Sequence, residues 1–596
     1  MEKVLNRAEV EEKYKWDLAH IFKSDEEWEK AYAQAKASVH DIERFKGRLD
    51  SAGTILEALK ESEDKARKLE RLSYYAGLKS AEDTRVPKYQ SMAQRIQMLG
   101  IEYASAYSFF EPEILRLSNR KIDSFCQELP ALAMYKRHLR RITRERKYTL
   151  SDKEEKILAM AANLATGPGN VFNLLNNADL KFGKILDENN REAELTISTY
   201  SKFIKSKDRR VREQAYGLFY GKYLEHRNSL AALRNASVKN YVFYARARKY
   251  KDSLDYALYP DEISTKVFLN LIDSVNDAIP LLHRYVSLKK KVLGYGELRM
   301  WDMYAYIAKE PDKKQSYEEA FSTVKKALES MGKDYIDTFE KMSRERWIDV
   351  LPTQNKLSGA FSSGIYDAHP HILLNHVGEL HDTFTIAHEI GHSMHTLYSN
   401  TQPFVYSSYT NFCAEIASTT NEQLLMRQML STADDQLKAY LLNQLLEDLR
   451  SSLYRQTMFS EFERETHSMV ERDEPLNADN LCRLYGGLNE KYYGKELVAD
   501  DVASVEWARI PHFYTNFYVY SYATGVIAAL AISKDIFERG EQAAKEYIDN
   551  FLKAGTSKPP LEILQSVGVD LTTKKPMKKA AQVVEDNLKE LEKLLT

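Results

Sequence analysis

The chain of 596 residues sets 85 Lys and Arg against 87 Asp and Glu, a formal net charge of -2, so electrostatics gives neither nucleic acid nor an anionic membrane a claim on it. With 29% charged residues and only 23 Gly and 15 Pro, the composition excludes a disordered chain and disfavours a β-rich fold, leaving a mainly helical protein. A chain this long buries a large core and is expected to have two or more lobes.

Three cysteines, Cys126, Cys413 and Cys482, are too few and too scattered for a disulfide framework or a thiolate zinc site, which fits a reducing compartment. Residues 1–18 are charged throughout and contain no apolar signal-peptide core. The longest apolar run, 526–532, is far short of a membrane span, so the expected location is cytoplasmic. The 38 tyrosines are an unusual number for an otherwise ordinary composition.

In chain order, helical periodicity predicts helices near 25–45, 54–80, 85–110 and 129–146, none carrying recognisable chemistry. The basic stretch KRHLRRITRERK at 136–147 has Leu139 and Ile142 at helical spacing, so it reads as a solvated helix face. TGPGN at 166–170 is a break, and 180–186 and 192–197 flank DENNR as a β-hairpin. A boundary near residue 200 divides an N-terminal helical domain, 1–200, from a catalytic domain, 201–596. Long helical patterns follow at 199–250 and 263–292. From 347 to 381 the pattern changes to short strands, 347–350 and 371–374, with 356–367 as a loop between them. A strand edge there can hold an extended peptide by main-chain hydrogen bonds.

The segment TIAHEIGHSMH at 385–395 is the centre of the chemistry. Positions four apart share a helix face, so His388 and His392 can bind one metal ion. Glu389, about 100° round the same helix, can act on a water without being a ligand. Neutral imidazole and carboxylate donors make zinc the expected ion. Asp382 and Thr383 are candidate caps for this helix, and Ile386, Met394 and Leu397 give it an apolar face. The next helical pattern, opening at Thr410 and Asn411 with Phe412, Ile416, Leu424 and Leu425 as its apolar positions, places Glu415 near its first turn, where it would complete a His2Glu set. Glu422, two turns on, is either a partner to that set or a surface residue.

Helices follow at 434–471 and 478–493, then IPHFYTNFYVYSYATG at 510–525 brings His512, Tyr514, Tyr518, Tyr520 and Tyr522 within eleven residues. Tyrosine stripes are usually core, but His and Tyr donors at this density can also hold an oxyanion. Helix is expected from 513 to near 540, and 554–596, with a helix from about 578, reads as a closing element.

Taken together, HEIGH, the downstream CAEIASTTNE, GAF with ILLN before the motif, FYVYSYATG, and the opening KWDLAHIF with Trp28 resemble oligoendopeptidase F, in the family of zinc oligopeptidases that includes thimet oligopeptidase and neurolysin. The resemblance implies a mainly α, elongated two-lobed fold with a deep central channel, a small β-sheet beside the active-site helix, and one zinc ion. It implies cleavage of internal bonds in short peptides, with His388, His392 and Glu415 as ligands and Glu389 as general base. His512, Tyr514 and Tyr520 fall in the segment that supplies the family's oxyanion donors; their spacing departs from the thimet oligopeptidase pattern, which keeps Tyr518 and Tyr522 in contention. Two alternatives stand beside it. A dipeptidyl carboxypeptidase or metallocarboxypeptidase on the same scaffold would need a group to hold a free substrate carboxylate, and a non-catalytic peptide-binding scaffold would bind no stoichiometric metal.

Overall fold

A computed structural model describes residues 5–311, 314–498 and 500–596, so the first four residues of the charged leading stretch lie outside the described residues. Helices dominate, and the strands are confined to three small sheets. Two compact units are each assembled from three chain segments: Met1–Lys147, Lys313–Gln428 and Ile532–Gly568 form one, and Tyr148–Asp312, Met429–Ala531 and Val569–Thr596 the other. The boundary read near residue 200 falls in the second unit, within the helix Ile197–Ile204. Among the described residues no helix is long and apolar enough to cross a membrane.

In the first unit the long helix Ala52–Glu82 starts where the Ser51 side chain accepts a hydrogen bond from the Thr54 N–H, and it buries Ile55, Leu59, Leu72, Tyr75 and Leu78. Pro87 opens the next helix, Pro87–Tyr107, at a position where its missing N–H costs nothing. The basic segment forms the helix Lys136–Arg144, with Leu139 and Ile142 buried and Lys136 pairing with Asp123 at 3.0 Å, as a solvated face should.

The sheet of this unit has Ala368–Leu373 at its centre, parallel to Ile348–Asp349 and antiparallel to Phe361–Ile365. The segment expected as a loop therefore contains an edge strand. Its Ser-Ser-Gly core has little strand propensity, but the register Phe361 to Leu373, Ser362 to Ile372 and Ser363 to His371 supplies what propensity lacks. Gly364 is needed there, because a Cβ would lie 2.8 Å from Thr396 Cγ2 and 3.1 Å from Pro370 Cβ.

The second unit contains the expected hairpin, with Lys184–Leu186 antiparallel to Glu192–Glu194. Its core explains much of the tyrosine content: Tyr216, Tyr220, Tyr223 and Tyr485 are buried, and Tyr220 and Tyr485 donate hydrogen bonds to Glu506 at 3.1 and 2.7 Å. Burial opposes the charge on Glu506, but Arg455 and Arg509 outweigh it and hold the carboxyl at about 2. The C-terminal helix Lys575–Leu595 buries Met577, Ala580, Val584, Leu588 and Leu591 against the helices Asp435–Leu449 and Ile279–Leu293. Its apolar stripe at helical spacing makes it part of this core, while the earlier part of the stretch expected as a closing element, up to Gly568, belongs to the first unit.

Candidate active site

The motif helix spans Leu380–Ser399, starting two residues before the expected cap. Asp382 lies inside its first turn, where the carboxylate accepts from the N–H groups of Val377, Gly378 and Glu379 at 2.8, 2.8 and 3.0 Å. Thr383 is buried and caps nothing; its hydroxyl donates to Gln315 Oε1 at 2.8 Å. Ile386, Ile390 and Met394 fill the apolar face and fix the rotation of the helix.

Glu415 lies in the first turns of the following helix, Asn411–Thr432. The two helices meet at Gly391, where a Cβ would stand 2.6 Å from Ser418 Cα and 2.7 Å from the Ala417 carbonyl oxygen. Asn421 fastens the pair by donating to the Ala387 carbonyl at 3.2 Å while accepting from the Tyr335 hydroxyl at 3.1 Å. This close approach sets the distance between the two histidines and the acid.

His388 Nε2 and His392 Nε2 lie 3.2 Å apart, and Glu415 Oε2 lies 3.5 Å from the first and 3.4 Å from the second. Three ligands at bonds of about 2.0–2.2 Å round a tetrahedral ion are separated by about 3.3–3.6 Å, so the triangle has the size that zinc requires. Glu422 Oε1 accepts from His388 Nδ1 at 3.0 Å, which puts the proton on Nδ1 and leaves the Nε2 lone pair facing the triangle. Ser418 donates to Glu415 Oε2 at 2.9 Å and orients the carboxylate.

The electrostatics agree with a cation site. The hydrogen bond from His392 holds the Glu415 carboxyl down at about 2, against its burial and with help from the charges of both imidazoles and from Ser418. Burial disfavours a charge on His388, but Glu422, with Glu389 and Glu415, overcomes it and raises the imidazole to about 9. Metal and proton compete for that nitrogen. Glu389, 6% exposed, is not one of the three converging groups. Burial pushes its carboxyl above the usual carboxylate range, opposed by His388, His392 and the Ser362 backbone.

In the second unit, the segment after Ile510 forms a turn, Pro511–Tyr514, and the helix begins only at Tyr520, seven residues later than its periodicity suggested. Phe517 at φ +60° breaks the helix, and a buried network pins the break. The Phe517 N–H donates to Glu463 Oε1 at 3.0 Å, and Asn516 Oδ1 meets His467 Nε2 at 2.8 Å and the guanidinium of buried Arg234.

This geometry brings some of the candidate donors together and not others. His512 is exposed, with Nε2 3.4 Å from the Tyr522 hydroxyl; Tyr518 lies parallel to the His512 ring at 6.2 Å and edge-on to Tyr522 at 5.3 Å. Tyr514 turns aside and stacks on Phe172 at 4.5 Å. Tyr520 is 4% exposed and packs edge-on against Phe268 at 5.5 Å.

The peptidase family M3 model matches residues 202–583. This chain belongs to peptidase family M3. A second model, described as oligopeptidase F, matches residues 113–182 of the M3 peptidase. The chain is 40% identical over 593 residues to the oligopeptidase PepF of Bacillus subtilis, covering 99% of this chain and 88% of that one. It is 37% identical to the group B oligopeptidase PepB of Streptococcus agalactiae, covering 99% and 98%. Among solved structures, an oligoendopeptidase-F from Enterococcus faecium is 34% identical with a TM-score of 0.75, covering 96% and 99%; a structure from Chlamydophila abortus is 35% identical with a TM-score of 0.93, covering 99% and 100%.

Sequence reasoning missed Ser418, Asn421 and Gly391 as the parts that set this M3 peptidase's helix pair. Glu415, Ser418 and Glu422 at i, i+3 and i+7 on one face were the available signal. Gly391→Ala tests the close approach: the added methyl must push two backbones apart, costing about 1–3 kcal/mol and weakening the hold of the His388, His392 and Glu415 triangle on any metal ion. Thermal unfolding and zinc content of the purified variant check both; unchanged values for both would mean the helices have room to spare.

Proposed function

We propose that this M3 peptidase is a zinc metalloendopeptidase acting on short oligopeptides. The observation that carries the reading is the triangle of His388 Nε2, His392 Nε2 and Glu415 Oε2, with edges of 3.2, 3.4 and 3.5 Å, beside a buried Glu389. His388, His392 and Glu415 would hold a single zinc ion. Zinc, when bound, supplies Lewis acidity, polarising the scissile carbonyl and making water acidic enough to lose a proton near neutral pH. Glu389 takes that proton as water attacks the carbonyl carbon, and returns it to the amine nitrogen as the C–N bond breaks. The Phe361–Ile365 strand, at the edge of its sheet, offers main-chain groups to an extended peptide. His512 and Tyr522 are the proposed hydrogen-bond donors to the developing oxyanion, with Tyr518 supporting them. Tyr514 and Tyr520 take packing roles in this proposal.

Division into an N-terminal helical domain, 1–200, and a catalytic domain, 201–596, remains a proposal, supported by the family model that begins at residue 202. A cytoplasmic location fits three free cysteines, Cys126, Cys413 and Cys482.

The discriminating experiment is a series of peptides blocked at both ends, incubated with and without a zinc chelator. Internal cleavage of blocked peptides that stops on chelation and returns with zinc is expected. Cleavage confined to peptides with a free C-terminal carboxylate would replace this reading by a carboxypeptidase or dipeptidyl carboxypeptidase activity.

A further inference from the structure

Seven of the 14 histidines lie between His369 and His395, and the M3 site uses only two of them. Two others, His369 and His371, sit at alternate positions of the strand Ala368–Leu373 and so share one face, the spacing by which a strand can present two imidazoles to one ion. His20, from the segment following Trp16, joins them within the same unit. Its ring lies 3.9 Å from that of His369 and 5.2 Å from that of His371, and the two strand histidines are 4.6 Å apart. One ring nitrogen from each falls within 4.8 Å of the others.

The surroundings suit coordination. His371 is fully buried and held from both sides, with Nδ1 2.8 Å from the Tyr74 hydroxyl and Nε2 3.2 Å from the Asp17 carbonyl oxygen. The Tyr74 hydroxyl donates to the Ser363 carbonyl at 2.7 Å and so can accept from His371 Nδ1–H, as an outer partner does for a ligating imidazole; the ion would then take the place of the proton between Nε2 and the Asp17 carbonyl, with that carbonyl as a fourth ligand. Trp347 stacks on His369 at 4.1 Å and restrains that ring too. Burial lowers all three imidazoles, His369 to about 4, so the cluster is neutral at physiological pH, the form in which imidazole binds metal.

We propose that His20, His369 and His371 form a second metal site, separate from the motif centre, that takes a borderline divalent ion such as zinc or copper(II). Three imidazoles and a carbonyl, with no thiolate, match those ions better than magnesium or calcium. His20 is the exposed member, and it is the ligand that turns on binding, because its ring now lies flat on His369 and its lone pair has to be re-aimed. The bound ion would staple the segment around Asp17 to the sheet; the Asp17 N–H already bonds to the Arg346 carbonyl at 2.8 Å, in the turn that leads into the strand Ile348–Asp349. That sheet continues to Ser362, which pairs with Ile372 and whose hydroxyl meets Ser393 of the motif helix at 2.8 Å.

The proposal does not depend on the motif centre, and its test keeps the two apart. Chelator-stripped protein is dialysed to equilibrium against zinc alone, and bound zinc is counted in wild type, His388→Ala/His392→Ala, His20→Ala and His369→Ala, with circular dichroism as the fold control. Removing the motif pair should leave one ion per chain, and adding His20→Ala to that variant should remove it. His20→Ala alone should lose one ion and keep full peptide cleavage, and it should lose the rise in Tm that the second ion gives. If the motif-pair variant binds no zinc, or if His20→Ala and His369→Ala leave the count of a folded protein unchanged, there is no second site.

Discussion

Glu389→Gln should keep the wild-type content of bound zinc and lose about 10²–10⁴-fold in kcat, the share a positioned general base contributes. The side chain is nearly isosteric, lies outside the converging triangle, and can still accept the hydrogen bond from the Ser362 backbone, so neither fold nor metal should change. What glutamine lacks is the ability to take a proton from water and return it to the leaving amine. KM should stay close to wild type, because nothing that contacts the ground-state peptide is removed. Burial raises the Glu389 carboxyl, which equips it to accept a proton that an ordinary surface carboxylate would hold poorly. Steady-state kinetics on a doubly blocked peptide, with zinc measured on the same sample, decides it; wild-type turnover in a zinc-loaded variant would remove Glu389 from the mechanism.

Tyr522→Phe should lower kcat by about 10²–10³-fold with KM little changed, while Tyr520→Phe leaves kcat within a few-fold of wild type. The distinction comes from position within the second unit. Tyr522 keeps its hydroxyl 3.4 Å from exposed His512, whereas Tyr520 is buried against Phe268. A donor that strengthens only as charge develops on the carbonyl oxygen affects the transition state and not substrate binding. His512→Asn should resemble Tyr522→Phe, and the double variant should lose less than the product of the two, since the pair touches. If Tyr520→Phe carried the loss and Tyr522→Phe did not, the helix face assigned to the chemistry would be the wrong one.

The convergence of His388, His392 and Glu415 was legible in the sequence because every step in it is local. Helical spacing places His388 and His392, and the apolar pattern of the next helix places Glu415 in its opening turns, so that only the distance between two neighbouring helices remained open. That distance is set by Gly391, whose role depends on Ser418 approaching it from the other helix. The strand Phe361–Ile365 was not legible, since Ser-Ser-Gly reads as a loop until Ile372 and Leu373 pair with it. The delayed helix start at Tyr520 has the same kind of cause. Phe517 is held at positive φ by Glu463, while Asn516 is bound by Arg234 and His467, all remote in sequence. Tyr520 and Tyr522 are about 200° apart on a helix, so one turns inward, but only Phe268 reveals which.

The most direct test of the whole account is an anomalous-scattering map collected on crystals of the zinc-loaded protein at the zinc absorption edge. The account predicts a peak about 2.0–2.2 Å from His388 Nε2, His392 Nε2 and a Glu415 carboxylate oxygen together. A zinc-loaded crystal with no peak bounded by those three atoms, or with Glu415 turned out of its reach, would contradict it.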